Sequence, residues 1–316
     1  MSFARSNKPD YNAPVASKKF HLNARPWRCI LRSERREEEL NLETVAFQGE
    51  TGAYSERAAR EFFGPSCQAL PFRTFRDAFV AVHESRVQAA ILPIENSLAG
   101  SVHQNYDLLL QYHLHITGKI ILRISHHVMV LSGVKWEQVR RVYSHPQALE
   151  QCREFLARRP ELEIVPAYDT AGSAKLIAEN GWRDAAAIAS AQAAEHYGLA
   201  VLHRGVESNQ QNYTRFLILS QTAVMPEAQG KTSIVFATPH KPGALFKALA
   251  VFALRDINLL KIESRPQHGN PWHYFFYLDF EGAPSQSHCQ KALDHLGELS
   301  EFVRVLGTYE KGKVIE

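Results

Sequence analysis

From Thr44 onward the apolar positions come in short bursts separated by polar turns. Thr44-Val45-Ala46-Phe47-Gln48 reads as a buried strand broken by Gly49 and Gly52. A helix follows, with Ser55 as its expected cap and Glu56 in the first turn. Thr74-Phe75-Arg76-Asp77 has the form of a capping box, opening a second helix with Phe75, Ala78, Phe79 and Val82 on one face. The apolar run Ala89–Ile94 predicts another strand, ending in the polar turn Glu95-Asn96-Ser97. A helix through Tyr106–Leu110 and strands near Ile116–Leu122 and His127–Leu131 come next. Strand Arg141–Tyr143 runs into Ser144-His145-Pro146, where proline suits the first helical position. Strand Ile164–Pro166, a helix ending at Gly181, strand Ala187–Ala189, a helix ending at Gly198 and strand Tyr213–Leu219 complete the pattern.

This alternation predicts an α/β fold with mainly parallel sheets. Polar residues gather repeatedly after strand ends, at Gly49–Ser55, Glu95–Ser97, Ser144-His145, Thr170 and Ser190. Open α/β sheets bind ligands along that edge. After a linker at 222–230 the pattern changes: strand Lys231–Thr238, helix Ala244–Arg255, strands Ile257–Arg265 and His273–Glu281, helix Ser287–Leu299, strand Val303–Tyr309. This βαββαβ order is the ferredoxin-like arrangement. The expected division is a flexible extension at 1–43, an α/β domain at 44–221, the linker, a ferredoxin-like domain at 231–309 and a tail at 310–316.

Charge narrows the partners. The chain carries a net +3, but residues 1–40 hold nine Lys and Arg against five Asp and Glu, so the body is near neutral. A broad nucleic-acid surface is not expected on that balance, and no apolar run is long enough to span a membrane. The four cysteines, Cys29, Cys67, Cys152 and Cys289, are scattered without a CxxC pair, which argues against a zinc ribbon or disulfide framework and for a reducing compartment. The cytoplasm is the default location. Seven basic residues against one acid in residues 1–33 keep a plastid transit peptide as the alternative. His113-Leu114-His115 and His126-His127 lack the further ligands a zinc site needs, so no metal is expected.

Several stretches closely resemble the prephenate dehydratase family. They are Val45–Gly49 with Gly52–Ser55, Pro93–Ser97, Gly100-Ser101-Val102, Ser144–Leu149, Asp169-Thr170-Ala171, Ala187–Ser190 and Asn212-Tyr213-Thr214-Arg215-Phe216. Asn105–Leu110 and Asp169–Gly172 also look like plant arogenate dehydratases. Pro242-Gly243-Ala244-Leu245 and Glu263-Ser264-Arg265-Pro266 resemble the two effector motifs of an ACT domain. The resemblance implies two α/β subdomains like those of type-II periplasmic binding proteins, the second inserted near residues 123–205.

By the same resemblance, a prephenate or arogenate ring loses its hydroxyl and ring carboxylate in one aromatising elimination that requires no cofactor. Thr214 is then the expected hydroxyl donor and Arg215 a bidentate partner for a substrate carboxylate. Strand alternation already places Thr214 and Phe216 on one face and Arg215 on the other. Asn96, Ser97, Ser101, Thr170 and Ser190 are candidate substrate-binding donors near helix N-termini, with Phe216 beside them. Each of the serines and threonines can equally be a helix cap. Glu95 is expected to act as a structural acceptor. Gly243, Ala244, Leu245, Glu263, Ser264, Arg265 and Pro266 would hold phenylalanine, with the pocket shared between subunits of a homodimer or homotetramer. The rival reading is an amino-acid sensor that binds without turnover.

Overall fold

The computed structural model describes residues 43–224, 226 and 230–316. The extension at 1–42, Cys29 and most of the linker lie outside the described residues. In chain order, β1 (Thr44–Gln48), α1 (Tyr54–Phe63), β2 (Gln68–Phe72), α2 (Phe75–His83), β3 (Ala89–Asn96), β4 (Gly100–Ser101), α3 (His103–Gln111) and β5 (His115–Arg123) build a first lobe. The second lobe holds β6 (His127–Val130), β7 (Arg141–Ser144), α4 (Pro146–Gln151), α5 (Arg153–Leu156), β8 (Glu163–Pro166), α6 (Thr170–Asn180), β9 (Ala185–Ala189), α7 (Ala191–His196) and β10 (Ala200–Arg204). β11 (Tyr213–Ser220) returns to the first lobe. The regulatory domain follows as β12 (Gly230–Ala237), α8 (Ala244–Ala253), β13 (Leu259–Pro266), β14 (Tyr274–Glu281), α9 (Ser287–Leu299) and β15 (Phe302–Glu310), and β16 (Lys313–Ile315) ends the chain as given.

Three sheets result. The first lobe has the order β16-β5-β11-β3-β1-β2 with β4 attached to β3; the second has β10-β6-β9-β7-β8; the regulatory domain has β13-β14-β12-β15. The expectation of mainly parallel sheets needs correction: β6 runs antiparallel to β9 and β10 in the second lobe, and the first lobe departs too. There β11 is antiparallel to both β3 and β5, because a chain returning from an inserted lobe re-enters the sheet from the opposite end. The stretch expected as a tail forms β16, parallel to β5. Ser55 is not a cap either: Ala53 takes that position, and the Glu56 carboxylate reaches back to the Gly52 N–H at 2.7 Å.

Alternation along β11 divides two cores. Phe216 and Ile218 pack with Phe47, Ile91 and Ile120 beneath α1. Leu217 and Leu219 point the other way, into a core shared with Val235, Tyr277, Leu306 and Tyr309 of the regulatory sheet. Burying each such side chain is worth about 1.5–3 kcal/mol, so one strand fastens the catalytic lobe to the regulatory domain. Tyr277 adds a hydrogen bond from its hydroxyl to the Tyr106 carbonyl at 2.7 Å. Gly307 is required at this junction, since a Cβ there would run into the Ile116 backbone of β5.

Candidate active site

Asn96, the last residue of β3, is the cross-strand partner of Thr214 on β11. Its Oδ1 accepts hydrogen bonds from the Leu98 and Ala99 N–H groups, at 3.0 and 2.9 Å. Two backbone donors can meet only an oxygen, so the orientation of this amide is fixed and its NH2 must face the other way. There Nδ2 donates to Thr214 Oγ1 at 3.0 Å and to Asn212 Oδ1 at 2.7 Å. Thr214 Oγ1 thus accepts a hydrogen bond and keeps its own hydrogen free to donate.

The same logic runs further. Because Asn212 Oδ1 is an acceptor, its Nδ2 faces Gln151 Oε1, at 2.9 Å. Gln151 Oε1 is therefore an acceptor as well, and His126 Nε2, 3.0 Å away, must carry a hydrogen. Burial lowers the His126 pKa, which favours a neutral ring whose Nδ1 then accepts. Tyr54 supplies that proton or gives it to the Ser125 carbonyl: its hydroxyl lies 3.0 Å from His126 Nδ1 and 2.7 Å from the carbonyl. Burial also raises the Tyr54 pKa well above its ordinary value, so the phenol stays protonated. The chain Tyr54–His126–Gln151–Asn212–Asn96–Thr214 links both lobes and the two crossings between them. Buried Glu207 steadies the crossing by accepting from the His126 backbone N–H at 2.8 Å.

The lobes meet closely beside this network. Gly52 has φ of 89°, and a Cβ there would sit 2.6 Å from the Ala193 backbone of α7. Ser190 donates to the Gly52 carbonyl at 2.5 Å while accepting from Ala193 N–H at 3.0 Å. Across the same opening, Glu50 pairs with Lys175 of α6 at 2.9 Å and accepts from Tyr168 at 3.1 Å. Asp169 caps α6 by accepting from Gly172 N–H, and burial raises its pKa. Thr170 is the first residue of α6 rather than its cap. The N-termini of the longer helices α1 and α6 both open at this edge, where their dipoles favour an anion.

Not every expected site residue gathers here. Arg215 lies on the opposite face of β11 from Thr214 and pairs with Glu95 at 2.8 Å, as the period-2 geometry of a strand requires. The Arg215 side chain is thus placed away from the face of β11 that carries Thr214. Phe216 is core, 2% exposed, and does not line the cleft. Ser97 uses both hydroxyl functions structurally, donating to the Gln211 carbonyl and accepting from Tyr213 N–H. Ser101 donates to Glu263 at 2.6 Å, at the regulatory interface and away from Thr214.

The effector motifs also separate. A cavity of about 170 Å³ is lined by Ala244, Leu245, His240, Trp272, His273 and Tyr274 among others, and adjoins Gly243, which caps α8 with φ of 76°. Glu263 and Arg265 do not line it. They grip the catalytic domain instead, Glu263 at Ser101 and Arg265 bidentate on Asp107 at 2.8 and 3.1 Å, while Ser264 and Pro266 are exposed. Strand alternation is again the reason. Tyr54, Gln151 and Asn212 were not singled out from the sequence, and His126 was weighed only as a metal ligand. Tyr54 and Asn212 sat inside recognised motifs; Gln151 carried no local signal.

A two-lobed α/β enzyme with a polar interlobe site and a ferredoxin-like regulatory domain is the class these features define. The prephenate dehydratase family model matches residues 45–224, and the ACT domain model matches residues 232–298. An Arabidopsis thaliana protein named arogenate dehydratase/prephenate dehydratase 2, chloroplastic, is 48% identical over 278 residues, covering 84% of this chain and 72% of its own. The solved prephenate dehydratase from Arthrobacter aurescens in complex with L-Phe is 32% identical with a TM-score of 0.79, covering 85% of this chain and 90% of that one. A structure described as GqqA, a novel type of quorum quenching acylase, is 37% identical with a TM-score of 0.77, covering 85% and 98%. The chain belongs to the prephenate dehydratase family.

Proposed function

We propose that the protein is a carbon–oxygen lyase that converts prephenate to phenylpyruvate, with arogenate to phenylalanine as the alternative substrate pair. Prephenate dianion takes up one proton and yields phenylpyruvate, carbon dioxide and water. The C–O bond of the ring hydroxyl and the bond to the ring carboxylate break together, and aromatisation drives both. The observation that carries this reading is the Thr214 hydroxyl, oriented as a donor by the Asn96 NH2 at 3.0 Å. In that role it hydrogen-bonds the departing hydroxyl, while the α1 and α6 N-termini favour the substrate carboxylates. Positioning contributes much of the remainder.

An acylase would need a nucleophile beside a base. Ser190 is committed to the Gly52 carbonyl and the Ala193 N–H, and Thr214 faces side-chain amides. Phenylalanine is the expected effector, seated against Ala244 and Leu245, with Ser264 and Pro266 from a second copy closing the pocket. Exposed Phe246 on α8, Leu254 just past its end, and Leu260 and Ile262 on β13 give that second copy an apolar surface. Residues 44–221 would form the catalytic domain and 231–309 the regulatory one. The Arabidopsis relative is named as chloroplastic, which together with the basic leader favours the plastid over the cytoplasmic default.

The test is turnover of prephenate and of arogenate, supplied separately to purified protein, with and without phenylalanine. Thr214→Ala should lose roughly 10²-fold or more in kcat, the usual contribution of a positioned proton donor. Failure of the unmodified, folded protein to turn over either substrate, with phenylalanine still bound, would promote the sensor.

A further inference from the structure

Behind Asn96 and Thr214 stands a second cross-strand pair, Glu95 and Arg215, one residue along each strand and facing the regulatory domain. The Glu95 carboxylate is shared. One oxygen meets Arg215 Nη1 at 2.8 Å and the other meets Lys261 Nζ of β13 at 2.8 Å. Lys261 is 14% exposed, its ammonium also lies over the Tyr106 ring at 5.8 Å, and Glu263 is 3.8 Å away. Arg215 Nε is buried without a hydrogen-bond partner, and the ion pair to Glu95 is the guanidinium's salt bridge among the described residues.

The two pairs are set apart from the rest of their ladder. Immediately beyond Arg215 the register shifts, with Phe216 opposite Pro93, a residue that has no N–H to give. On the β3 side, Glu95–Arg215 and Asn96–Thr214 therefore form a short regular stretch of their own at the end of the ladder. β13 grips the same hairpin twice, since Glu263 holds Ser101 and Ser101 is the β4 partner of Glu95.

We propose that Lys261 is a positioning residue for the dehydration site, acting through Glu95 and Arg215 to hold Asn96 and Thr214 in register. It thereby links the β13 effector motif to the catalytic hydroxyl. This rests on the dehydratase reading above. Lys261 touches no reacting atom; it fixes the rear of the strand pair whose front carries the chemistry.

The experiment is steady-state kinetics on the full chain with Lys261→Met, Lys261→Arg and Glu95→Gln, alongside calorimetric phenylalanine binding and thermal midpoints. For Lys261→Met, kcat should fall about tenfold with KM nearly unchanged, while phenylalanine affinity stays within about threefold and its effect on turnover disappears. Lys261→Arg should restore most of kcat, and Glu95→Gln should mimic Lys261→Met because an amide cannot hold two cations. Wild-type kcat and phenylalanine response in a folded Lys261→Met protein would overturn the inference, as would equal losses in all three variants. Absence of turnover in the unmodified protein overturns the dehydratase reading first, and this link with it.

Discussion

The Asn96 amide is held from both ends, its oxygen by backbone donors and its NH2 by acceptors, and only one of its two amide atoms is replaceable. In Asn96→Asp, one carboxylate oxygen would still accept from Leu98 and Ala99 N–H, but the other would face Thr214 Oγ1 and Asn212 Oδ1. The Thr214 hydrogen would then turn toward the carboxylate and away from substrate. We expect kcat to fall by roughly 10²-fold with Thr214 intact. Chemical denaturation should register a stability loss of about 1–3 kcal/mol, as for a buried group left facing a like partner. His126 gives a pH dependence. Burial sets its folded pKa below the unfolded value of about 6.5, so the unfolded chain binds more protons in between. Its contribution to stability is fully present above that value and is lost as pH falls through the folded pKa. His115, His127 and His145 are shifted the same way by burial. Denaturation midpoints should therefore drop between pH 7.5 and pH 5, and His126→Gln should flatten part of the drop.

At the scale of elements, Gly52 decides whether the lobes can close. Gly52→Ala needs a side chain at φ of 89° and 2.6 Å from the Ala193 backbone. Both strains point the same way, and we expect a loss of about 1–3 kcal/mol in stability together with a marked drop in kcat/KM. A protein with wild-type kinetics and denaturation midpoint would show that the closed contact is dispensable. The sequence was most informative where an element is capped or buried on both faces. Thr74 and Asp77 form the expected reciprocal capping box, and Pro146 begins α4 as its position implied. β2, β10 and β16 escaped notice because they are sheet-edge strands, half exposed and three to five residues long, which need no continuous apolar run. Alternation located Arg215 opposite Thr214, yet motif agreement alone had assigned both to one site. Nothing in a linear sequence says that a neighbouring domain covers the far face. Gln151 was invisible for a related reason: its partners lie 25, 55 and 61 residues away.

The whole molecule depends on the regulatory domain being strapped to the catalytic sheet. β16 pairs with β5, and beyond it Glu316 accepts from Tyr213, the neighbour of Thr214, while its carbonyl accepts from Arg57. Removing residues 311–316 would bare the β5 edge, which should lower the thermal midpoint and raise aggregation, read by light scattering on heating. If the proposed second copy docks on this apolar surface, Leu254→Lys, just past the end of α8, should instead leave the monomer folded and reduce the mass measured in solution. The insertion of the second lobe has one more effect, on synthesis. Every strand of the second lobe's sheet is encoded between residues 127 and 204, so that sheet is complete once this stretch has left the ribosome. β5 precedes that stretch, whereas its sheet neighbours among the described residues, β11 and β16, follow it. A nascent chain must therefore carry β5 with both edges bare while the entire second lobe is translated, and the apolar strand Ile120-Ile121-Leu122 is where a ribosome-bound chaperone has most to shield.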